Sequence, residues 1–436
     1  MFVTARLPVL VASGVVPVAL LTAAGGPAWL LALAWLVLCA VLAAVDVVTA
    51  ADGAALRVSR DLPPRVTLGD AARTRVRFGN PTGRRIRGII RDGWQPTAGA
   101  PAERQRIDVP PGESRTIVVP LRPRRRGELR TQFVVVRTRG PLGLAGRQRR
   151  IDAPGAIRVL PPFRARRHLP SRVARLRELD GSTSVQVRGQ GTEFDSLREY
   201  VRGDDVRSID WRATARAGTT MLRTWRPERD RHVVILVDTG GTAATRVGDG
   251  TRLEAAFEAA LLLAALANRA GDHVHLVAFD RVVRARVTGV DGPALLPALV
   301  DALAPVDAQL IDTDWDAAFA QVRALHAKPN LFVILTAQES PDASRGFLGT
   351  LPSAVRAGTV VLVGTATDGG LAELARSRGD ADALYHAAAA EATLASAARV
   401  TAAIERAGAE AIADDPESLP PRIADRYLAL KKAGRL

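Results

Sequence analysis

The chain opens with two uncharged apolar runs, residues 7–24 and 28–45, separated by Gly25-Gly26-Pro27. Each is about 18 residues, near the minimum that spans a bilayer as a helix. The Gly-Gly-Pro break is a turn signal. The pattern predicts a two-helix transmembrane hairpin over residues 1–50, with helices of about 7–24 and 28–48. Pro8, Gly14 and Pro17 weaken the first helix, although bilayer helices tolerate such residues. A cleaved signal peptide is the competing reading of the first run, with small residues at 23–28 as its cleavage region. A second apolar run directly behind it favours the hairpin.

Beyond residue 50 the pattern changes to short alternating or β-branched runs: 73–78, 84–91, 104–109, 115–121, 129–137 and 156–160. Turn signals separate them, among them Asn80-Pro81-Thr82-Gly83, Pro110-Pro111-Gly112 and Gly140-Pro141-Leu142-Gly143. Several short strands at this spacing predict an all-β, immunoglobulin-like sandwich over residues 51–163. In the first of them Arg73, Arg75 and Arg77 alternate with Thr74, Val76 and Phe78, so one strand face is cationic.

Residues 164–226 form a polar connector that ends in a dense charged segment. From 227 to 436 continuous apolar strands (232–237, 273–279, 331–335, 360–363) alternate with helical patterns (252–269, 293–303, 315–327, 391–407). That order predicts an α/β fold with a doubly wound parallel sheet. Ligands of such sheets sit at the carboxyl ends of the strands, where Asp238 lies.

Charge divides the chain sharply. The formal net charge is +15, yet residues 51–170 alone carry 27 Arg against 9 acids, whereas residues 227–436 carry 21 basic and 27 acidic groups. The basic character therefore belongs to the segment next to the apolar hairpin. Arg6 precedes the first run and Arg57, Arg60 and Arg65 follow the second, so the positive-inside rule puts both ends, and the soluble domains, in the cytoplasm. An anionic leaflet attracts such a domain, which makes an Arg-rich lipid-surface binder one reading. Nucleic acid is not expected as a partner, because single-strand binders add aromatic stacking and residues 51–160 offer only Phe78, Trp94 and Phe133. The lone cysteine, Cys39, excludes an intramolecular disulfide.

Candidate chemistry is sparse. No phosphate loop, Gly-x-Ser-x-Gly elbow or His-Glu-x-x-His is present. Gly189-Gln190-Gly191 lacks the third glycine of a dinucleotide fingerprint. His273 and His275 share a strand face, two ligands without a third. Asp204, Asp205 and Asp210 offer an acid cluster for a hydrolase. Their other reading is as helix caps and charge pairs, such as Glu199 with Arg202, that dock the segment on the neighbouring sheet. In that reading Asp204 or Asp205 caps a helix from 206 to 217 that Gly218 ends.

The charged segment, residues 191–216, combines Glu193, Arg198, Tyr200, Asp204, Arg207, Asp210, Trp211 and Arg216. Together with Arg125-Arg126-Gly127 and Gly140-Pro141-Leu142-Gly143-Leu144, it resembles the signature of the domain of unknown function 58 family. That resemblance implies a membrane-anchored protein with a von Willebrand factor A-like C-terminal domain. It also implies partnership with a MoxR-type AAA+ ATPase in envelope or stress-related assembly, and the absence of any nucleophile–base or phosphate-loop motif favours an adaptor or scaffold over an enzyme. Von Willebrand factor A-like domains often hold Mg²⁺ with an Asp-x-Ser-x-Ser loop, a Thr from a second loop and a later Asp. Here Asp238, Thr242 and Thr313 match that pattern. Gly240 stands for the first Ser, and Thr336-Ala337-Gln338 for Thr-Asp-Gly, with Glu339 displaced by two residues. The site is therefore degenerate.

Overall fold

Where the unbroken apolar runs give way to alternation, helices give way to strands. The computed structural model describes all residues except 103, 187–192, 203, 227–230, 326–327 and 357. These form two compact units, Met1–Leu160 and Pro161–Leu436.

The first unit starts with a two-residue strand, Phe2–Val3 (β1), and three helices, Arg6–Ser13 (α1), Val15–Ala23 (α2) and Ala28–Thr49 (α3). The first predicted helix is thus interrupted at Gly14. The stretches Arg6–Ala23 and Ala28–Ala55 are long and apolar enough to cross a membrane. Their large side chains, among them Val9, Leu20, Trp29 and Val41, are exposed on the protein's own surface.

Eight further strands follow: Arg57–Asp61 (β2), Arg65–Thr67 (β3), Ala72–Gly79 (β4), Ile86–Trp94 (β5), Gln105–Val109 (β6), Ser114–Leu121 (β7), Gly127–Arg139 (β8) and Ala145–Leu160 (β9). β2, β4 and β7 form a three-stranded antiparallel sheet. β1, β9, β8, β5 and β6 form a larger one, with β3 added beside β9. Alternation sends Val76 and Phe78 inward from one sheet and Ile86, Ile90, Val134 and Val136 inward from the other, into one shared core. Arg73, Arg75 and Arg77 point outward, as their alternation predicts. The last strand is far longer than residues 156–160, because β8 and β9 pair along almost their whole length.

A carboxylate ties the helices to this sandwich. Asp46, in the last turn of α3, is fully buried. It accepts N–H bonds from Leu142 (2.8 Å), Leu144 (2.6 Å) and Ala145 (2.9 Å) in the β8–β9 turn. Gly140 makes room, since a Cβ there would collide with the Asp46 side chain. Arg147 donates to the carbonyl oxygens of Val47 (2.8 Å) and Val48 (3.2 Å), where a helix C-terminus favours a cation.

The second unit contains Leu169–Gln186 (α4), Glu193–Glu199 (β10), Trp211–Ala217 (α5), Met221–Arg226 (β11) and His232–Asp238 (β12). A small pair, Arg246–Val247 (β13) and Gly250–Thr251 (β14), leads into Arg252–Arg269 (α6). Then come His273–Phe279 (β15), Val283–Val287 (β16), Leu295–Leu303 (α7), Trp315–Arg323 (α8), Leu331–Leu335 (β17) and Arg345–Arg356 (α9). Val360–Ala366 (β18), Gly370–Arg376 (α10), Ala381–Arg406 (α11), Glu410–Asp414 (β19) and Leu419–Lys432 (α12) complete it.

Its sheet runs β16-β15-β12-β17-β18-β19, parallel except for the edge strand β16. Alternate residues of β12 serve opposite layers. Val233, Ile235 and Val237 pack with α6 and α12, while Val234 and Leu236 pack with α8 and α9. Both faces are thus covered, which is why these strands read as unbroken apolar runs. A capping box on Thr251 and Glu254 starts α6. The helical pattern expected over 391–407 is the second half of α11, and the one over 315–327 ends at Arg323, with 326–327 outside the described residues.

Candidate functional site

The charged signature segment folds into a small module. β10 and β11 pair antiparallel, with Arg198 opposite Leu222 and Glu199 opposite Met221. Glu193 begins β10, opposite Arg226. The Tyr200 N–H extends the ladder to the Thr220 carbonyl at 2.8 Å. The single helix expected over 206–217 is instead two short pieces. Asp205 caps a 3₁₀ turn at Val206–Ser208, Ile209 is extended, and Asp210 caps α5 through the N–H groups of Arg212 (2.9 Å) and Ala213 (3.0 Å). Two Asx caps five residues apart compete for the chain, and each ends up heading its own turn. Gly218 ends α5 in the left-handed region, φ +71°.

The three carboxylates of the acid cluster face donors, not one another. Asp204 accepts from Arg198 (2.6 Å) and the Val201 N–H (2.9 Å), and the Arg198 bond holds its carboxyl below the usual range. The N–H of Ala213 and the Arg223 guanidinium (2.7 Å) do the same for Asp210. The charge pairs are thus internal to the module. Leu222 is buried, but three of its apolar side chains are not covered: Trp211 is 70% exposed, Val201 and Val206 each 61%. Arg207 and Arg216 are exposed as well.

At the carboxyl end of the parallel sheet, three neighbouring strands each stop on a polar residue: Asp238 as the last residue of β12, Asp280 after β15 and Thr336 after β17. Asp238 is buried, and its carboxylate accepts hydrogen bonds from Thr313 Oγ1 (2.6 Å), Thr336 Oγ1 (2.6 Å) and the Gly240 N–H (2.8 Å). Burial pushes its pKa up, against the pull of these donors, and the nearby Asp280 charge adds to the rise. Asp280 is enclosed by Arg284 (2.6 Å), Thr239 Oγ1 (2.9 Å) and the N–H groups of Arg281 (2.6 Å) and Val282 (3.2 Å). These donors outweigh its desolvation and hold its carboxyl below the usual range.

Of the three residues matched to an ion site, Thr313 and Asp238 are in direct contact. Thr242 lies in the 3₁₀ turn Gly241–Ala244 that follows. Gly240, where a Ser would be usual, faces Thr313 so closely that a Cβ would collide with the threonine hydroxyl. The glycine is thus what lets Thr313 reach Asp238. Gln338 donates its amide to Thr336 Oγ1 (2.9 Å), and Glu339 pairs with Arg252 (2.9 Å). The oxygens are of the hard type that Mg²⁺ takes, but among the described residues Asp238 supplies the one carboxylate on which Thr313 and Thr336 converge. Asp280 escaped the motif comparison, and Thr336 entered it only as the start of Thr336-Ala337-Gln338, not as a partner of Asp238. The signal for both is positional, since each is the first polar residue after an apolar strand.

The opposite strand ends carry His232, His273 and His275. The His232 ring stacks on both others, with centroids 5.2 and 5.3 Å away. Its Nδ1 lies 3.0 Å from His275 Nε2, and His273 Nδ1 lies 3.0 Å from Asp291. Burial, then the neighbouring imidazoles, pushes His275 down. No group of three or more His, Cys, Asp or Glu suited to a metal ion occurs among the described residues.

Comparison with solved structures gives partial overlaps. A Salmonella alpha-2-macroglobulin mutant is 20% identical over 24% of this chain and 7% of its own length, with a TM-score of 0.20. The CARDB domain of PF1109 from Pyrococcus furiosus is 16% identical over 24% of this chain and 94% of its own, at 0.19. A FixG-related protein from Vibrio parahaemolyticus is 15% identical over 25% and 98%, at 0.19. These scores are too low to establish a shared fold. No curated protein matches. Residues 196–366, which run from the signature module through the Asp238, Asp280 and Thr336 strand ends, match the model of a family described as "Protein of unknown function DUF58", a match that supports the relation to that family over this segment.

Proposed function

We propose that this protein is a membrane-anchored, non-catalytic adaptor whose signature module docks a protein partner, an AAA+ ATPase of the MoxR type. The observation that carries the reading is the exposure of Trp211, Val201 and Val206 on a two-stranded module. Hairpins of two strands are marginal alone, and three large apolar side chains left exposed on so small a module favour an interaction surface. Trp and Arg are the residues that most often dominate such contacts. The domain behind the module is read as von Willebrand factor A-like, the β unit as an immunoglobulin-like sandwich, and the apolar helices as a hairpin that keeps both units in the cytoplasm. Asp204 and Asp210, held ionised by their donors, are poorly suited to supply a proton at neutral pH. The Asp238 cluster is taken as a hydrogen-bonded brace for the strand-end loops, with Mg²⁺ as its alternative occupant.

The test is co-purification of the tagged full-length protein from native membranes in mild detergent. A MoxR-type ATPase is expected with the parent. A Trp211→Ala/Val206→Ser variant should weaken that association roughly thirtyfold, the scale of one interface hot spot. Absence of any ATPase from the parent, while other membrane complexes survive, overturns the reading. So does substrate turnover that is lost on Asp204→Ala or Asp210→Ala.

A further inference from the structure

The outer face of the larger β sheet in the first unit is strongly cationic. Strand register sets Arg137 opposite Ile89 on one side and Gln148 on the other, and Arg91 opposite Val135. Arg106 follows Ile89 across β6. Ile89, Val135 and Phe133 are half-buried, forming an apolar floor under the arginine stems. The Arg150 guanidinium lies 3.8 Å over the Phe133 ring, and Arg137 lies 5.3 Å over Phe2.

The acids described on this face already have arginine neighbours: Asp152, in register with Phe133, lies 3.9 Å from Arg150. Asp108, the acid of this sheet edge, is taken by Arg85 (2.6 Å) and Arg87 (3.2 Å). Arg91, Arg104 and Arg106 have no ion-pair partner among the described residues. Burial and the charges of Arg104 and Arg91 together push the Arg137 guanidinium below its ordinary range. Like charges held this close on one face call for an anion.

The face also has a fixed place relative to the apolar helices. Phe2, which Arg137 overlies, precedes α1 by four residues, and β1 pairs with β9 at Gly146. The β8–β9 turn grips Asp46 at the end of α3. Arg137 is three residues from that turn's Gly140, about 10 Å at strand rise. Fields of a charged bilayer reach about 8 Å at physiological salt, and an arginine side chain covers the remainder.

We infer that Arg91, Arg104 and Arg137 bind the phosphate groups of anionic lipids in the leaflet from which the two helices emerge. The occupant is a lipid surface and not a nucleic acid, because the helices of the same unit deliver the face to that surface. Half-buried Phe133 and Phe2 are already engaged by arginines, which leaves no open ring for base stacking. The inference rests on the hairpin reading of the two apolar stretches.

The experiment uses the full-length protein reconstituted in phosphatidylcholine vesicles with spin-labelled phosphatidylglycerol or phosphatidylcholine as the probe. Flotation comes first: protein that fails to float with the vesicles overturns the hairpin reading itself. For floated protein, a preference for phosphatidylglycerol of at least about fivefold is expected, falling toward unity in Arg91→Gln/Arg104→Gln/Arg137→Gln and in high salt. Substitution of the same three positions by Lys keeps charge and should keep most of the preference. Arg73→Gln/Arg75→Gln/Arg77→Gln, on the other sheet, should leave it unchanged. Equal preference in the parent and the first Gln variant, at matched melting temperatures, overturns the inference. So does a short oligonucleotide that binds the parent tightly while phosphatidylglycerol shows no preference.

Discussion

Asp238 joins a desolvated carboxylate to three donors, and the two effects oppose each other. Burial wins, so the folded pKa stands above the unfolded one. The native state then binds more protons than the unfolded chain from about pH 4 upward, until the raised folded pKa is passed. Stability contributed by this group therefore falls as pH rises through that window. An Asp238→Asn variant has no such proton to lose. The difference in unfolding free energy, parent minus Asp238→Asn, should decline from about pH 4 upward and flatten once the raised folded pKa is passed. Urea denaturation across pH reads this directly. A difference that is flat, or that rises with pH, would show that the threonine hydroxyls and the Gly240 N–H outweigh desolvation. Added Mg²⁺ distinguishes the alternatives for the same residue. As a hydrogen-bonded brace, the cluster predicts a melting temperature unmoved by millimolar Mg²⁺. An occupied ion site predicts a rise in the parent and none in the Asn variant.

Among the elements, the contact between α3 and the β8–β9 turn is the most exacting. Three backbone N–H groups converge on one buried carboxylate, and Gly140 leaves the space it enters. Each buried donor left without a partner costs about 1–3 kcal/mol. Asp46→Ala should thus loosen the turn by at least about 3 kcal/mol, and amide exchange at Leu142, Leu144 and Ala145 should quicken roughly a hundredfold. Asp46→Asn, which keeps one acceptor oxygen, should fall between. Unchanged exchange in the Ala variant would mean that pairing of β8 with β9 holds the turn unaided. This contact also marks the limit of what the sequence discloses. Strands such as 73–78 and 115–121 are legible because period-two alternation is local, and β12 and β17 because unbroken apolar runs are. The grip on Asp46 joins positions about a hundred residues apart, so no window reports it. The same holds for Thr336 on Asp238, which requires knowing that β12 and β17 are neighbours. The start of α5 was obscured differently, since Asp204, Asp205 and Asp210 are all competent caps and only the fold chooses among them.

At the scale of the whole molecule, the two units differ in how their cores are closed. The core of the first lies between two sheets, and its α3 is tied to the β8–β9 turn by buried hydrogen bonds. The second buries a parallel sheet between helical layers, with Val234, Ile235, Leu236, Val333 and Ile334 each at most 1% exposed. Two of its buried acids are partnered from within: Asp272 takes the Tyr427 hydroxyl at 2.5 Å and the Lys431 ammonium at 3.0 Å, and Glu258 takes the N–H groups of Arg164 (2.9 Å) and Ala165 (2.8 Å). A core that is covered on both faces and leaves these charges partnered has what a domain needs to fold alone. Residues 161–436 produced without the first unit should therefore be soluble and melt in a single cooperative transition. Their slowest-exchanging amides should be those of β12 and β17, with the same protection as in the full-length protein. Arg164 and Ala165 set the boundary, because starting the fragment after them strips Glu258 of both partners and leaves a buried carboxylate bare. A fragment beginning at residue 170 should lose about 2–4 kcal/mol relative to one beginning at 161. If the longer fragment aggregates or melts without cooperativity, the second unit depends on the first for its fold. If the two fragments are equally stable, Glu258 is satisfied by solvent and the boundary lies further along the chain.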